Sequence, residues 1–226
     1  MKFIILNFVK KLIAVATYPS KLFDQAVNEF AKLPGIGRKS AVRMVLHLLR
    51  ENSETSDALG NAIMKLRQEI RYCKYCYNIT ENDVCDICAN IKRNKSIICV
   101  VEDIRDVIAI ENTNQYNGVY HILGGIISPM DGIGPADLNI NELLSRVADG
   151  ACKEVVLALP ATIEGDTTNF FLYKKLSSFD VDITTIARGI SFGDELEYAD
   201  EVTLGRSIIN RTPYQGTVQV KQDNIF

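Results

Sequence analysis

Cys73-Lys74-Tyr75-Cys76, followed after a short polar loop by Cys85-Asp86-Ile87-Cys88, is the stretch on which the reading of this chain turns. Two Cys-x-x-Cys pairs make two tight knuckles whose four sulfurs can converge on one tetrahedral ion, and thiolate is the ligand soft enough to favour zinc. The loop between them holds Asn78, Asn82 and Asp83, residues that suit a turn and offer almost no apolar surface for a core. Without metal such a segment is expected to be poorly folded. The spacing also admits two disulfides or a rubredoxin-like iron site. Nothing in the chain points to an oxidising compartment, so a closed structural zinc site is the expectation. The finger also divides the chain: the residues before it read as helical and basic, and those after it read as α/β and acidic.

The chain has 226 residues, 47% of them hydrophobic, enough for one large domain or two small ones with a packed core. A net charge of −3 argues, taken alone, against a nucleic-acid partner. The average hides an asymmetry. Residues 1–95 hold 16 Lys and Arg against 9 Asp and Glu, and the remainder holds 9 against 19, so a polyanion meets the N-terminal part first. The opening run from Met1 to Thr17 superficially resembles a secretion signal, but Lys10 and Lys11 leave its apolar stretch too short to span a bilayer. No small-residue cleavage site comes after it. It reads as an extra amphipathic helix or a misassigned start, in a cytoplasmic, nucleoid-associated protein without membrane partners.

Outward from the finger toward the N-terminus, Ser56 to Arg71 carries Leu59, Ile63, Leu66 and Ile70 at helical spacing. Before it, Pro19-Ser20 starts a helix through Leu33, and a second helix runs from about Arg38 to Arg50. Between these two lies Leu33-Pro-Gly-Ile-Gly-Arg-Lys-Ser-Ala41, which looks like a helix-hairpin-helix motif. Gly35 and Gly37 let the backbone approach a phosphate while Ile36 anchors the hairpin in the core. The amides that open the second helix then face the anion, helped by the positive end of the helix dipole. Arg38, Lys39 and Arg43 add cationic side chains, and Lys39, Arg43 and Arg50 fall on one face. Contacts of this kind position a protein on DNA without reading sequence. An ordinary solvated surface is the plain alternative for these charges, and His47 beside them reads as a bystander.

On the C-terminal side, Ser96-Ile-Ile-Cys-Val-Val-Glu102 is a continuous apolar run ending in an acid, the pattern of a buried parallel strand with a functional C-terminal end. Next are a helix from about Ile104, a strand over Gly118–Gly125, a loop from Pro129 to Pro135 and a short helix over Asn141–Asp149. Then come a strand over Glu154–Pro160, a helix opening at Ala161-Thr-Ile-Glu164-Gly-Asp166 and a strand over Val181–Ala187. Strand alternating with helix implies a parallel sheet with crossovers, and it places Glu102, Glu164 and Asp166 at the C-terminal edge of that sheet. Cys99, Cys152 and His121 read as packed core residues.

In this order, the pieces resemble the RecR family of bacterial recombination mediators. The carriers are Leu33–Ala41, the Cys73–Cys88 finger, Val100-Val-Glu102, Gly118–Gly125 with Ile127-Ser-Pro129, Ile163-Glu-Gly-Asp166 and Gly193-Asp-Glu-Leu-Glu-Tyr-Ala-Asp200. The resemblance covers residues 20–212. It implies a multi-domain α+β protein with an N-terminal extension (1–18), a helix-hairpin-helix domain (19–71), a C4 zinc finger (72–94), a Toprim domain (95–190) and a C-terminal segment (191–226). The function it implies is a DNA-binding ring or clamp, dimeric or tetrameric, that acts with RecO- and RecF-type partners to load RecA on gapped DNA. Three positions depart from the family pattern: Pro160-Ala161-Thr162 replaces the usual Asn-Pro-Thr, and Thr185 replaces an Arg.

Toprim enzymes use a Glu after the first strand for acid/base work and an Asp-x-Asp pair after the third to hold magnesium against phosphate. Paired carboxylates are needed because magnesium is a hard ion that wants oxygen ligands at fixed geometry. Glu102 fills the first role, but the two aspartate positions fall on Pro160 and Thr162. With only Glu164 and Asp166 remaining, Mg2+ binding is expected to be weak at most. The reading is a non-enzymatic clamp, with a Toprim-type metal-dependent nuclease as the alternative.

Overall fold

The computed structural model describes residues 20–190, 193 and 195–213, so the N-terminal extension and part of the Gly193–Asp200 motif lie outside the described residues. The described residues divide into two compact units, one ending at Ile70 and the other beginning at Arg71.

In the first unit, helix α1 (Lys21–Phe30) is capped by the Ser20 hydroxyl, which accepts from the Phe23 amide. Helix α2 (Arg38–Arg50) begins at Gly37, and α3 (Ser53–Glu69) begins at Asn52, whose side chain accepts from the Thr55 amide. That cap explains why α3 starts three residues before the expected Ser56. Val27, Ala41 and Val45 form the core of this unit, with Phe23, Phe30, Ile36 and Val42 packed on it. Helix α3 contributes no buried residue, and its stripe of Leu59, Ile63 and Leu66 is exposed.

The second unit opens with the two-stranded ribbon β1 (Arg71–Tyr72) and β2 (Ile79–Thr80) and the short helix α4 (Asp86–Ala89), which together carry the cysteines. Strands β3 (Asn94–Val101), β4 (Gly118–Ile122), β5 (Glu154–Leu157) and β6 (Asp182–Thr185) form one parallel sheet in the order β4-β3-β5-β6. The connecting helices are α5 (Ile104–Asn112), α6 (Ile140–Ala148) and α7 (Ile163–Leu176), and α8 (Glu201–Ile209) comes after the sheet. On one face Val100, Val119, Val155 and Leu157 pack against Leu143 and Val147 of α6 and Leu172 and Leu176 of α7. On the other, Cys99, Val101, Tyr120 and Ile122 pack against Val107 of α5 and against Tyr77 and Ile87 of the cysteine finger. Strand β3 is thus apolar on both sides, which accounts for its unbroken hydrophobic run. Chain order runs β3 to β4 in one direction and β5 to β6 in the other, so the switch point between β3 and β5 opens at their C-terminal ends. Among the described residues no helix is long and apolar enough to cross a membrane.

Candidate functional site

The hairpin is built by a turn that requires its sequence. Pro34 and Gly35 occupy the centre, Gly35 takes φ +76°, and the Ile36 amide donates to the Leu33 carbonyl at 3.0 Å, the pattern of a type II turn. Gly37, by contrast, has an ordinary φ of −77°, and a Cβ built on it would meet nothing within 4 Å. Neither conformation nor packing within the unit demands glycine there. As the N-cap it makes no side-chain hydrogen bond to the start of α2. Lys39 and Arg43 are exposed, and Arg50 lies exposed further along the helix. Arg38, expected as a DNA contact, is also engaged within the unit. Its Nη2 pairs with Asp24 at 2.8 Å and its Nη1 donates to Asn28 Oδ1 at 2.8 Å, so its guanidinium ties α2 to α1.

Four sulfurs define the second site. The ligand atoms of Cys73, Cys76, Cys85 and Cys88 all lie within 4.8 Å of one another, all four residues are buried, and none is in a disulfide. The Cys76–Cys85 Sγ distance of 3.5 Å is far beyond a disulfide bond of about 2.05 Å. It is close to the ~3.8 Å edge of a tetrahedron with 2.3 Å zinc–sulfur bonds. The donor set therefore fits a structural zinc.

The finger is joined to the sheet by specific contacts. The Ile122 amide, on the otherwise open edge of β4, donates to the Cys76 carbonyl at 2.9 Å. Arg146 of α6 donates from Nη1 to the Tyr120 carbonyl at 2.7 Å and to the Tyr75 carbonyl at 3.3 Å. The Tyr77 ring stands edge-on to His121, which is fully buried, with Nε2 2.7 Å from the Asn139 carbonyl oxygen. The His121 Nδ1 makes no hydrogen bond among the described residues. Burial pushes the His121 pKa down to about 4, so the ring folds neutral. Because the unfolded histidine titrates near 6.5, the unfolded state binds the extra proton first, and stability is lost as pH falls from about 6.5 to about 4. The ring resonances of His121 are accordingly expected to remain those of the neutral imidazole in an NMR titration down to pH 5.

The third group is the acidic edge. Glu102 comes directly after β3, while Glu164 and Asp166 sit in the first turn of α7 after β5, so all three belong to the switch-point end of the sheet. They do not converge: among the described residues, the cysteines are the group of three or more potential metal ligands drawn together. Asp166 instead pairs with Arg188 at 2.6 Å and Arg206 at 3.4 Å, and the Arg188 guanidinium holds its pKa below the usual carboxylate value. Glu102 moves the opposite way, raised by burial and by the neighbouring Asp103 and Asp106. Thr162, at one of the positions where a Toprim enzyme carries aspartate, caps α7 by accepting from the Gly165 amide at 3.1 Å. A Cβ on Gly165 would lie 2.0 Å from the Pro160 carbonyl oxygen, so this tight strand-to-helix turn excludes every other residue. Arg188 and Arg206, which decide the state of Asp166, lie 22 and 40 residues away in sequence, and no local pattern marks them.

Set against known proteins, the chain matches a series of family models between residues 23 and 212. Residues 23–67 match the family model described as RecR, helix-hairpin-helix. Residues 70–90 match the RecR four-cysteine zinc finger domain; residues 96–187 match Toprim domain; and residues 189–212 match RecR, C-terminal. The chain is similar to the Recombination protein RecR of Bacteroides thetaiotaomicron, with 61% identity over 201 residues covering 89% of this chain and 98% of the relative. The same named protein of Phocaeicola vulgatus is 62% identical over 200 residues, covering 88% and 98%. That of Porphyromonas gingivalis is 56% identical over 205 residues, covering 91% and 99%.

Proposed function

The chain belongs to the RecR family of recombination proteins, and from that premise we propose that it is a sequence-independent DNA clamp of recombinational repair that performs no phosphodiester chemistry itself. It works in the cytoplasm at the nucleoid as a homo-oligomeric ring or clamp. RecO- and RecF-type proteins are its partners in loading RecA on gapped DNA. The observation that carries this reading is the start of α2, where a glycine cap without a side-chain hydrogen bond stands beside the exposed Lys39 and Arg43. Gly35, Gly37, Lys39 and Arg43 form the DNA contact, while Arg38 holds the hairpin in shape.

One hairpin reaches only a few phosphates, so useful affinity at cellular salt requires several copies acting together. The exposed stripe of Leu59, Ile63 and Leu66 on α3 supports assembly, since this helix with one apolar side has no buried residue among the described residues of its unit. A monomer that binds DNA as tightly as the assembled form would contradict this part.

Gly37 offers a test that separates binding from folding. Gly37→Ser adds a side-chain acceptor where the backbone is already in cap geometry, so thermal stability should hold or rise by a few tenths of a kcal/mol. The new hydroxyl occupies the amides that the phosphate needs, and affinity for gapped DNA in fluorescence anisotropy should fall severalfold. Gly35→Ala, by contrast, strains a left-handed position and should cost about 1–2 kcal/mol of stability.

The acidic edge supports the absence of chemistry. Asp166 is engaged by two arginines, and Pro160 and Thr162 bring no carboxylate to the metal positions. Labelled gapped DNA incubated with the protein and Mg2+ or Mn2+ should remain intact. Cleavage that disappears in Glu102→Ala would establish the nuclease reading instead.

A further inference from the structure

Where the finger meets the C-terminal end of the sheet, the second unit holds a cavity of about 590 Å³. Tyr72 and Tyr77 of the finger form one wall, Ile104 and Ile122 line it from α5 and β4, and Asn139 and the Gly124 backbone complete it. The size and lining are those of a ligand or anchor pocket: mostly apolar, with a few polar groups at fixed places. Each wall is pinned by its neighbours. Ile122 is fixed by Cys76, Tyr77 by His121, and Asn139 donates from Nδ2 to the Ile122 carbonyl at 3.0 Å.

The rim decides what chemistry the cavity accepts. Asp103 and Arg105 border it, and Arg105 is committed to Asp103 through Nε at 2.7 Å. Asp106 accepts from the amides of Glu102 and Asp103, both at 3.1 Å, which draws a third carboxylate to the same turn. Only Asp103 and Arg105 of the charged residues line the cavity, but the turn that carries them holds Glu102, Asp103 and Asp106 against Arg105 and is net negative. The Glu102 carboxyl already holds its proton more tightly than an isolated glutamate because burial and these neighbours oppose its charge. An entering phosphodiester would add like charge to this crowd, whereas a lysine or arginine would relieve it.

We infer that this cavity is the docking pocket for one large apolar side chain, aromatic or branched, carried on a basic segment of a partner protein. The proposal rests on the reading of the chain as a mediator that recruits other proteins, and it adds where such a segment anchors and by which chemistry. The finger is then a wall of a protein-binding pocket, since Tyr72 and Tyr77 come from its ribbon and knuckle.

The test uses the full chain with isoleucine δ1-methyls labelled for NMR, because Ile104 and Ile122 line the cavity while Ile140 lies in the core of the opposite sheet face. The probe is the peptide acetyl-Lys-Lys-Phe-Lys-Lys-amide. Saturable shifts at Ile104 and Ile122, with Ile140 unmoved, are expected. Affinity should drop at least tenfold when Phe is replaced by Ala, when the lysines are replaced by glutamates, and in Tyr72→Ala, a residue that is 68% exposed. Glu102→Gln should weaken the lysine-flanked peptide severalfold. Unmoved cavity methyls, equal binding of the Phe and Ala peptides, or equal binding of the Lys- and Glu-flanked peptides would each overturn the proposal. Shifts at Ile104 and Ile122 caused by octathymidylate instead would assign the cavity to single-stranded nucleic acid and overturn it equally. Gapped-DNA affinity measured on the same samples tells the two readings apart: intact DNA binding with a silent cavity removes the pocket alone, and lost DNA binding removes the clamp.

Discussion

Replacing Cys85 with serine should unfold the finger while leaving the parallel sheet standing. The four cysteines are buried chiefly by one another, with Val84 and Ile87 as the apolar residues packed against them. A cluster of that size cannot offset the entropy of ordering some twenty residues. Structural zinc in finger peptides contributes apparent free energies of about 10–16 kcal/mol, as large as the whole stability of an ordinary domain, so losing one ligand removes the main force that holds this segment. The sheet has its own core in Val100, Val119, Val155, Leu157, Leu143 and Leu172, none of which belongs to the finger. Damage should therefore be local and directional. In hydrogen exchange the Ile122 amide, which donates to the Cys76 carbonyl, should lose protection by orders of magnitude, while the amides pairing β3 with β5 keep theirs. Metal analysis should fall from one zinc per chain to a small fraction. If the variant keeps both its zinc and its Ile122 protection, the four sulfurs are not the structural centre of this segment.

The second large effect concerns DNA. Lys39→Ala combined with Arg43→Ala removes two exposed cations from the same face of α2 without touching Val27, Ala41 or Val45, so the helical unit should fold normally. Each phosphate contact contributes about 0.9 to the slope of log affinity against log salt, so the slope should become shallower by about 1.8 for every engaged hairpin. At 0.15 M salt this corresponds to a loss of about 30-fold per hairpin, multiplied when several hairpins hold one DNA. Arg38→Ala should behave differently. It breaks a partly exposed ion pair with Asp24, worth at most about 1 kcal/mol, and should register mainly as lower thermal stability of the hairpin. Equal changes of salt slope in the Arg38 variant and the double variant would mean that the roles assigned to these cations are wrong.

The contrast between Arg38 and its neighbours shows what was legible in the sequence. Features generated within a few residues could be read directly. The Pro34-Gly35 turn, the apolar runs of β3 and β4 and the spacing of the four cysteines all arise from local stereochemistry or periodicity. Ends of elements shifted where a cap intervened, as Asn52 moved the start of α3. Pairings made across the fold could not be read. Arg38 finds Asp24 over 14 residues, Arg188 and Arg206 find Asp166 over 22 and 40, and Arg146 reaches the Tyr75 carbonyl over 71. The alternation of strand and helix was enough to put Glu102, Glu164 and Asp166 toward one end of the sheet. It did not reveal that Asp166 is turned to two arginines, which partly neutralise that end. The cavity beside it was equally hidden, because its walls come from the finger, α5, β4 and the segment before α6.

Wild-type protein on an end-labelled gapped duplex, taken through a series of salt concentrations with Mn2+ present, would put binding and strand integrity into one measurement on the same samples. For a non-cutting clamp, log affinity should fall linearly with log salt, with a slope that reports several phosphate contacts, and every strand should remain full length. Binding indifferent to salt, or strands cut in proportion to time, would contradict it.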